Sequence, residues 1–262
     1  MWRGSAVAVL LTLFAAPAAG QCTTNAAEII DGLYVRILER HPDAQSQLLI
    51  QQLASGRVPV RDAVAAIAKS EEHLTRLWVP LVNAAFLQVR NAVPERDRVL
   101  DAARTLARGT RTFDEMTIAL AVEEAAGLNP DTAVIALYKR LLGRDPTPED
   151  VERQAQAVAR DGIEPFARGI VVSPEFRERF GRNTVPVQGT RAYEPSVRTL
   201  YRELLNREPD GEGSSQYARI AAQSGFGPVI DQILASEEYQ RAFGPQGIPG
   251  APAGRTQYCG VP

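Results

Sequence analysis

The sequence is poor in the residues that bind metal ions and carry out nucleophilic chemistry. Its 262 residues include only two cysteines and two histidines. No Cys or His cluster has metal-ligand spacing, and both cysteines lie in terminal segments. No glycine-rich loop follows a predicted strand, so a phosphate site has no support. The sequence therefore predicts no metal, no cofactor and no catalytic constellation.

A large net charge and long apolar runs are lacking as well. The formal net charge is −2 and the isoelectric point is about 5.9. A protein that follows a phosphate backbone presents a basic surface, so nucleic acid is excluded as a main partner. After the first 20 residues no apolar run is long enough to cross a bilayer, and we expect no integral membrane segment in the mature chain.

The N-terminal stretch has the pattern of an export signal. One Arg is followed by an apolar run from Ala6 to Ala16 and by small residues up to Gly20. This pattern is typical of a cleaved secretory signal, so we predict a signal peptide over 1–20 and a periplasmic or secreted protein. In an oxidising compartment Cys22 and Cys259 are a candidate disulfide, with two unpaired thiols as the alternative.

One phrase occurs twice in the chain. "LYKRLLGRDPTPED" begins at Leu137 and "LYRELLNREPDGEG" at Leu200, and the same offsets detect two further, weaker copies. Periods of this size mark stacked units of secondary structure. We therefore predict four imperfect copies of a repeat of about 50 residues, packed in a compact or curved array. Copies one to four begin at Tyr34, Phe86, Tyr138 and Tyr201.

These starts divide the chain into segments. We predict copies one and two within 28–130, copy three at 131–181, a polar linker at 182–192, copy four at 193–244 and a Gly/Pro-rich tail at 245–262.

Each copy is predicted to consist of four short helices, which makes the fold all-α. Apolar residues recur at three and four positions, a recurring Gly ends the second helix, and a recurring Ser caps the fourth. His73 occupies a position where other copies have an aromatic residue, so we expect it to pack structurally. The predicted core residues of the lead helices are Leu33, Tyr34, Ile37, Leu137, Tyr138, Leu141, Leu200, Tyr201 and Leu204.

A recurring Arg and a recurring Ser-x-Glu are predicted to form one structural unit in each copy. A guanidinium can bridge a carboxylate and nearby carbonyls, and a largely buried pair would be worth about 3–5 kcal/mol. Copy two has Ala92 and Ala121 at the Arg and Ser positions but keeps Glu123. The predicted motif residues are Arg40, Glu72, Arg144, Ser173, Glu175, Arg207, Ser236 and Glu238.

The motifs "LYxxLLxRxPD" and "SxEYxxxFG" resemble phycobilisome linker-like helical domains. They equally resemble a sister family of unknown function that is repeated in secreted bacterial proteins. Phycobilisome linkers hold antenna proteins together inside phototrophs and are usually basic and cytoplasmic. The resemblance implies a helical module that makes contacts with other proteins.

The sequence leaves three functional hypotheses open. The first is an exported, non-enzymatic repeat protein that binds or scaffolds another protein in the cell envelope or outside the cell. The second is an envelope enzyme that acts on glycan or peptidoglycan through an isolated Glu. The third is a periplasmic binder of a small apolar ligand between repeats.

Overall fold

The computed structural model describes residues 21–23, 25–244, 246–249 and 256–258, and this part of the chain is built from fourteen α-helices. The predicted all-α class is confirmed. The helices of the first two copies are α1 Ala26–Leu38, α2 Gln47–Ala54, α3 Val60–Ala68, α4 Glu71–Ala85, α5 Arg96–Ala107 and α6 Phe113–Ala125. Those of the last two are α7 Pro130–Leu137, α8 Pro148–Asp161, α9 Ile163–Val172, α10 Pro174–Phe180, α11 Glu194–Leu205, α12 Gly211–Ser224, α13 Phe226–Ala235 and α14 Glu237–Phe243.

Side-chain caps begin many of these helices. The hydroxyl of Ser173 accepts a hydrogen bond from the amide of Phe176, and Ser236 does the same for Tyr239, each at 3.1 Å. Asp210 caps α12 in the same way. Each cap supplies a partner for an amide that has none within its helix.

Copy two departs from the predicted four helices. Its lead helix is the end of α4, which continues as a π-helical turn over Phe86–Arg90. Its third and fourth helices are fused into α6, which runs through Ala121. Ala121 has no hydroxyl that could cap a new helix, so nothing interrupts the α-helical hydrogen bonds there.

Glycine is required where the second helix of copies three and four gives way to the third. Gly162 has φ 87° and ψ 175°, and Gly225 has φ 78° and ψ −177°. The recurring glycine ends the second helix as predicted, but its ψ differs from that of the left-handed helical conformation common at helix C-termini. The chain adopts the mirror-extended conformation, which only glycine enters readily.

The lead helices form the core of their copies, as predicted. Leu33, Leu137 and Leu200 are fully buried, and the tyrosines of copies three and four are nearly so. Tyr34 is only partly buried.

The copies pack in two pairs through their third helices. Helix α3 of copy one packs on α13 of copy four, and α6 of copy two packs on α9 of copy three. The array therefore closes on itself rather than extending in a line. The division into four copies itself stays a sequence-based prediction.

Four aromatic rings from distant segments meet in one buried cluster of the core. The Trp78 ring lies 6.1 Å from Phe113, 5.8 Å from Tyr193 and 5.0 Å from Phe226 between centroids. Tyr193 follows the predicted linker and is fully buried, and Val185 within that linker is buried too. The linker is thus part of the core and not only a polar connection.

The two ends of the described chain meet. Strand β1, Gln21–Thr23, pairs in parallel with strand β2, Thr256–Tyr258. Residues 1–20, the side chain of Cys22 and all of Cys259 lie outside the described part. The signal peptide and the disulfide are therefore predictions that the structure does not test.

Candidate functional site

The motif residues of copy three come together in one contact. Arg144 Nε lies 2.6 Å from Glu175 Oε1, and Nη2 lies 2.8 Å from Oε2. The third guanidinium nitrogen donates to the carbonyl of Asp145 at 3.1 Å. The guanidinium carbon lies 4.9 Å from the ring centroid of Tyr138. One arginine thus holds a carboxylate, a carbonyl and the lead aromatic of its copy.

Copies one and four repeat this arrangement. Arg40 binds Glu72 through two contacts of 2.8 Å, and Arg207 binds Glu238 with its Nη2 at 2.7 Å from Oε2. Each guanidinium also lies over the lead tyrosine of its own copy, at 5.2 Å and 4.9 Å.

These ion pairs are more exposed than the sequence led us to expect. The six side chains are between 34% and 42% exposed. The prediction of a largely buried pair is therefore wrong. Each exposed pair is expected to stabilise the fold by about 1 kcal/mol. The hydrogen bond from Arg144 still lowers the pKa of Glu175 below its ordinary 4.5.

In copy two, other arginines bind the glutamate and cover the lead aromatic ring. Glu123 accepts hydrogen bonds from Arg90 and Arg98, and the Arg98 guanidinium lies 5.1 Å from the ring centroid of Phe86. Arg98 comes from α5, so no offset in the repeat pointed to it. The carboxylate and the stacked arginine are kept although the original Arg position is Ala92.

The junction between copies one and four is a buried polar contact. The Nε2 atom of His73 lies 2.7 Å from Glu203 Oε2, and its Nδ1 lies 2.6 Å from the carbonyl of Ala68. His73 is fully buried and Glu203 is 7% exposed. Arg36 donates to the carbonyl of Glu203 at 2.6 Å. His73 thus occupies a structural position, as expected, but it also joins two copies.

The junction between copies two and three uses equivalent positions of the lead helices. Gln88 stands two residues after its lead aromatic, as Arg36 does, and its amide contacts the carbonyl of Arg140 at 3.4 Å. Arg140 in turn lies 3.7 Å from Glu124. The two pairs of copies are therefore joined in a similar way.

A groove of about 690 Å³ lies along the α6–α9 contact. We name it the α6–α9 groove. Its apolar lining is Ile118, Ala119 and Val122. Charged side chains of both signs also line it, namely Arg111, Glu115, Glu123, Glu164 and Arg168.

The α3–α13 contact carries a matching but smaller groove of about 450 Å³, the α3–α13 groove. Lys69 and Asp231 bridge it with an ion pair of 2.8 Å. Counted from the helix starts, the equivalent residues of the α6–α9 groove are Val122 and Arg168. Arg168 turns to Glu164 of its own helix, at 2.9 Å, so no ion pair between these two positions closes the larger groove.

Other kinds of site find no support among the described residues. No group of His, Cys, Asp and Glu there could hold a metal ion, and no described helix is long and apolar enough to cross a membrane. Glu203 is the buried carboxylate of this part of the chain, and it faces His73 rather than either groove.

Comparison with known proteins supports the resemblance seen in the motifs. The family described as phycobilisome linker polypeptide matches residues 80–189. The chain carries a phycobilisome linker-like helical domain. The matched residues contain copies two and three and therefore the whole α6–α9 groove.

Several curated relatives are named as linkers. The chain is 25% identical over 173 residues to the phycoerythrin class 2 gamma subunit, a linker polypeptide of Synechococcus sp., covering 62% of this chain and 55% of that protein. It is 25% identical over 150 residues to a phycoerythrin-associated rod linker of Microchaete diplosiphon, covering 54% and 49%. It is 30% identical over 122 residues to the phycobiliprotein ApcE of Synechococcus sp., covering 44% of this chain and 16% of ApcE. The chain thus spans about half the length of these two linkers and a smaller share of ApcE.

These matches correct the predicted location. The relatives are phycobilisome linker polypeptides and phycobiliproteins, and such linkers are cytoplasmic. The prediction of a periplasmic or secreted protein is wrong. The Cys22–Cys259 disulfide was predicted for an oxidising compartment, so that prediction loses its basis as well.

Proposed function

We propose that this protein is a non-enzymatic linker that binds other proteins and holds them together. The observation that carries the proposal is the match to phycobilisome linker polypeptides over residues 80–189, the two copies that enclose the α6–α9 groove. The linker polypeptide family is structural and non-catalytic. The partner and the mode of binding are proposals for this chain.

The α6–α9 groove is the docking surface that we propose. Its apolar lining can bury side chains of a partner, while the charged residues around it can pair with polar groups at the rim, which is the usual anatomy of a protein interface. The α3–α13 groove is less suited, because the Lys69–Asp231 ion pair would have to open first.

We propose phycobiliproteins as the partner class and phycoerythrin as the first one to test. Two relatives carry phycoerythrin in their names, one as a gamma subunit and one as an associated rod linker. The groove offers both signs of charge, so the fit depends on the position of charges on the partner rather than on its net charge.

Hydrogen exchange of the full chain with and without purified phycoerythrin tests this proposal. We expect slower amide exchange in α6 and α9 on binding and little change in α3 and α13, which serve as the matched internal reference. Absence of binding, or protection confined to α3 and α13, would contradict the proposal.

Neither alternative hypothesis gains support from the two grooves between paired copies. The buried Glu203 that an enzyme could use is engaged by His73 and does not line a described groove. The grooves between paired copies are lined by charged side chains, unlike the closed apolar cavity that a small apolar ligand would need.

A further inference from the structure

Copy three contains a small pocket beside its arginine–glutamate pair. The pocket has a volume of about 280 Å³ and is lined by Tyr138, Gln154, Phe166, Gly169 and Glu175, among others. The rings of Tyr138 and Phe166 are stacked, with centroids 6.1 Å apart and an interplanar angle of 25°. A β-carbon built on Gly169 would meet no atom within 4 Å, so the space beside this glycine is open.

The corresponding place in copy four is occupied by the protein itself. Helices α8 and α12 have the same length, and copy four repeats copy three 63 residues later, so Tyr217 stands where copy three has Gln154. The Tyr217 ring packs edge-on against Tyr201, with centroids 5.8 Å apart and an interplanar angle of 63°. Tyr201 is the counterpart of Tyr138.

A second difference concerns a residue that lines the pocket. Gly169 corresponds to Gln232 of copy four, so a residue with no side chain stands where copy four has a long, exposed one. Polar groups remain at the edge of the pocket, where Glu175 is held by Arg144 and the Ser173 hydroxyl donates to the carbonyl of Ile170 at 2.7 Å. Copy three thus keeps Tyr138, on which Phe166 stacks where copy four has Val229, but it has no tyrosine in the α8 position.

We propose that this pocket binds an aromatic side chain, a tyrosine in its simplest form, from a partner protein. Copy four shows the chemistry of the occupant, because a phenol ring fills the equivalent place against the equivalent tyrosine. Edge-to-face packing of two rings is favourable beyond the area it buries, and aromatic anchors in pockets dominate many protein interfaces. The proposal deepens the proposed linker function and rests on it for the identity of the partner.

The test uses p-cresol, which is the side chain of tyrosine as a free molecule, and the full chain. Ligand-observed NMR measures binding, and amide shifts locate it. We expect p-cresol to shift the amides of Gln154 and Gly169. Gln154→Tyr, which installs the residue of copy four, should weaken this binding by about tenfold or more, equivalent to at least about 1.4 kcal/mol.

Two further variants keep the test decisive. Gly169→Gln should weaken binding as Gln154→Tyr does, and an unchanged melting temperature shows that each variant is folded. The matched variant Tyr217→Gln should create a second p-cresol site in copy four, seen as new shifts around residue 217. The pocket is overturned if p-cresol does not bind the wild type, or if Gln154→Tyr and Gly169→Gln bind p-cresol as tightly as the wild type does. Neither result depends on phycoerythrin. The proposal of an aromatic-binding pocket can therefore be refuted while the linker proposal stands, and the linker proposal can be refuted while the pocket proposal stands.

Discussion

At the scale of single residues, the recurring arginine makes three kinds of contact. It binds a carboxylate through two nitrogens, donates to the next carbonyl and covers the lead aromatic ring. Lysine could supply the charge but not the planar fork. The stacking and an arginine–glutamate contact both appear again in copy two, where Arg98 from a different helix lies over Phe86 and donates to Glu123 through Nη2. This repetition by another route indicates that the contact itself matters to the packing of each copy.

Replacing Arg144 by lysine should destabilise the protein by about 1–2 kcal/mol, because the second contact to Glu175 and the ring stacking are both lost. Urea unfolding at neutral pH measures the difference. Arg160→Lys is the control, since this exposed arginine pairs with its neighbour Asp161, and it should leave the urea midpoint close to that of the wild type. Equal effects of the two substitutions would contradict the structural role of Arg144.

The same contact predicts a dependence on acid. Arg144 lowers the pKa of Glu175 in the folded protein below 4.5. The contribution of this contact to the free energy of unfolding is therefore fully present above about pH 4.5, and it is lost as the pH falls through the pKa of Glu175 in the folded protein. Glu175→Gln should therefore be less stable than the wild type by about 1 kcal/mol at pH 7, and the gap should shrink towards pH 3. Unfolding curves at the two pH values check this. A gap that stays constant with pH would show that the carboxylate charge is not involved.

At the scale of helices, the positions of starts and ends follow from caps and glycines. The recurring Ser caps a helix in copies one, three and four, as predicted. Thr147 and Asp210 cap α8 and α12. The exceptions are informative, because α4 and α6 run through predicted breaks. In α6 the break was expected at Ala121, where no hydroxyl is available. In α4 the helix passes Pro80 and enters the lead segment of copy two without a cap.

Gly162 gives a direct test of the helix ends. Gly162→Ala forces a β-carbon into a conformation that only glycine enters readily, and we expect a loss of about 1–3 kcal/mol. Gly32→Ala is the matched control. Gly32 lies inside α1 with open space around it, so alanine should stabilise the protein by about 0.5–1 kcal/mol through its higher helix propensity. Thermal unfolding of both variants measures the two effects, and a stabilised Gly162→Ala variant would contradict the assigned geometry.

Much of this local structure could be predicted from the sequence. Leu137 and Leu141 lie four residues apart, a spacing that predicted a buried helical face, and the repeat offsets pointed to Arg144 and Glu175. The exposure of that pair could not be predicted, because it depends on how neighbouring helices cover it. The α6–α9 groove could not be found either, since it arises from the packing of copies whose residues lie about 50 positions apart.

At the scale of the whole molecule, the copies pair one with four and two with three. The contact of His73 with Glu203 could not be seen in the sequence, where His73 only filled an aromatic position. The buried ring of Tyr193 was likewise hidden in a segment predicted to border a polar linker. Long-range pairing of this kind decides which surfaces are left open, and thereby where a partner can bind.

The His73 contact predicts a strong coupling between copies one and four. His73→Phe installs the residue type of copy three but leaves the Glu203 carboxylate buried without its partner. We expect a loss of about 3–5 kcal/mol. The double variant His73→Phe with Glu203→Leu removes both polar groups and should recover most of that loss. Chemical denaturation of the wild type, both single variants and the double variant gives the coupling. Additive effects would show that the two residues do not interact.

The central claim is that the α6–α9 groove binds a protein partner. Its most direct test is the affinity of phycoerythrin for two matched variants, measured by titration calorimetry. Ala119→Arg places a long charged side chain in the α6–α9 groove, and Ala66→Arg places the same side chain at the equivalent position of the α3–α13 groove. We expect Ala119→Arg to weaken binding at least about tenfold, or 1.4 kcal/mol, with Ala66→Arg close to the wild type. Equal affinities of the two folded variants, or a loss only with Ala66→Arg, would contradict the account.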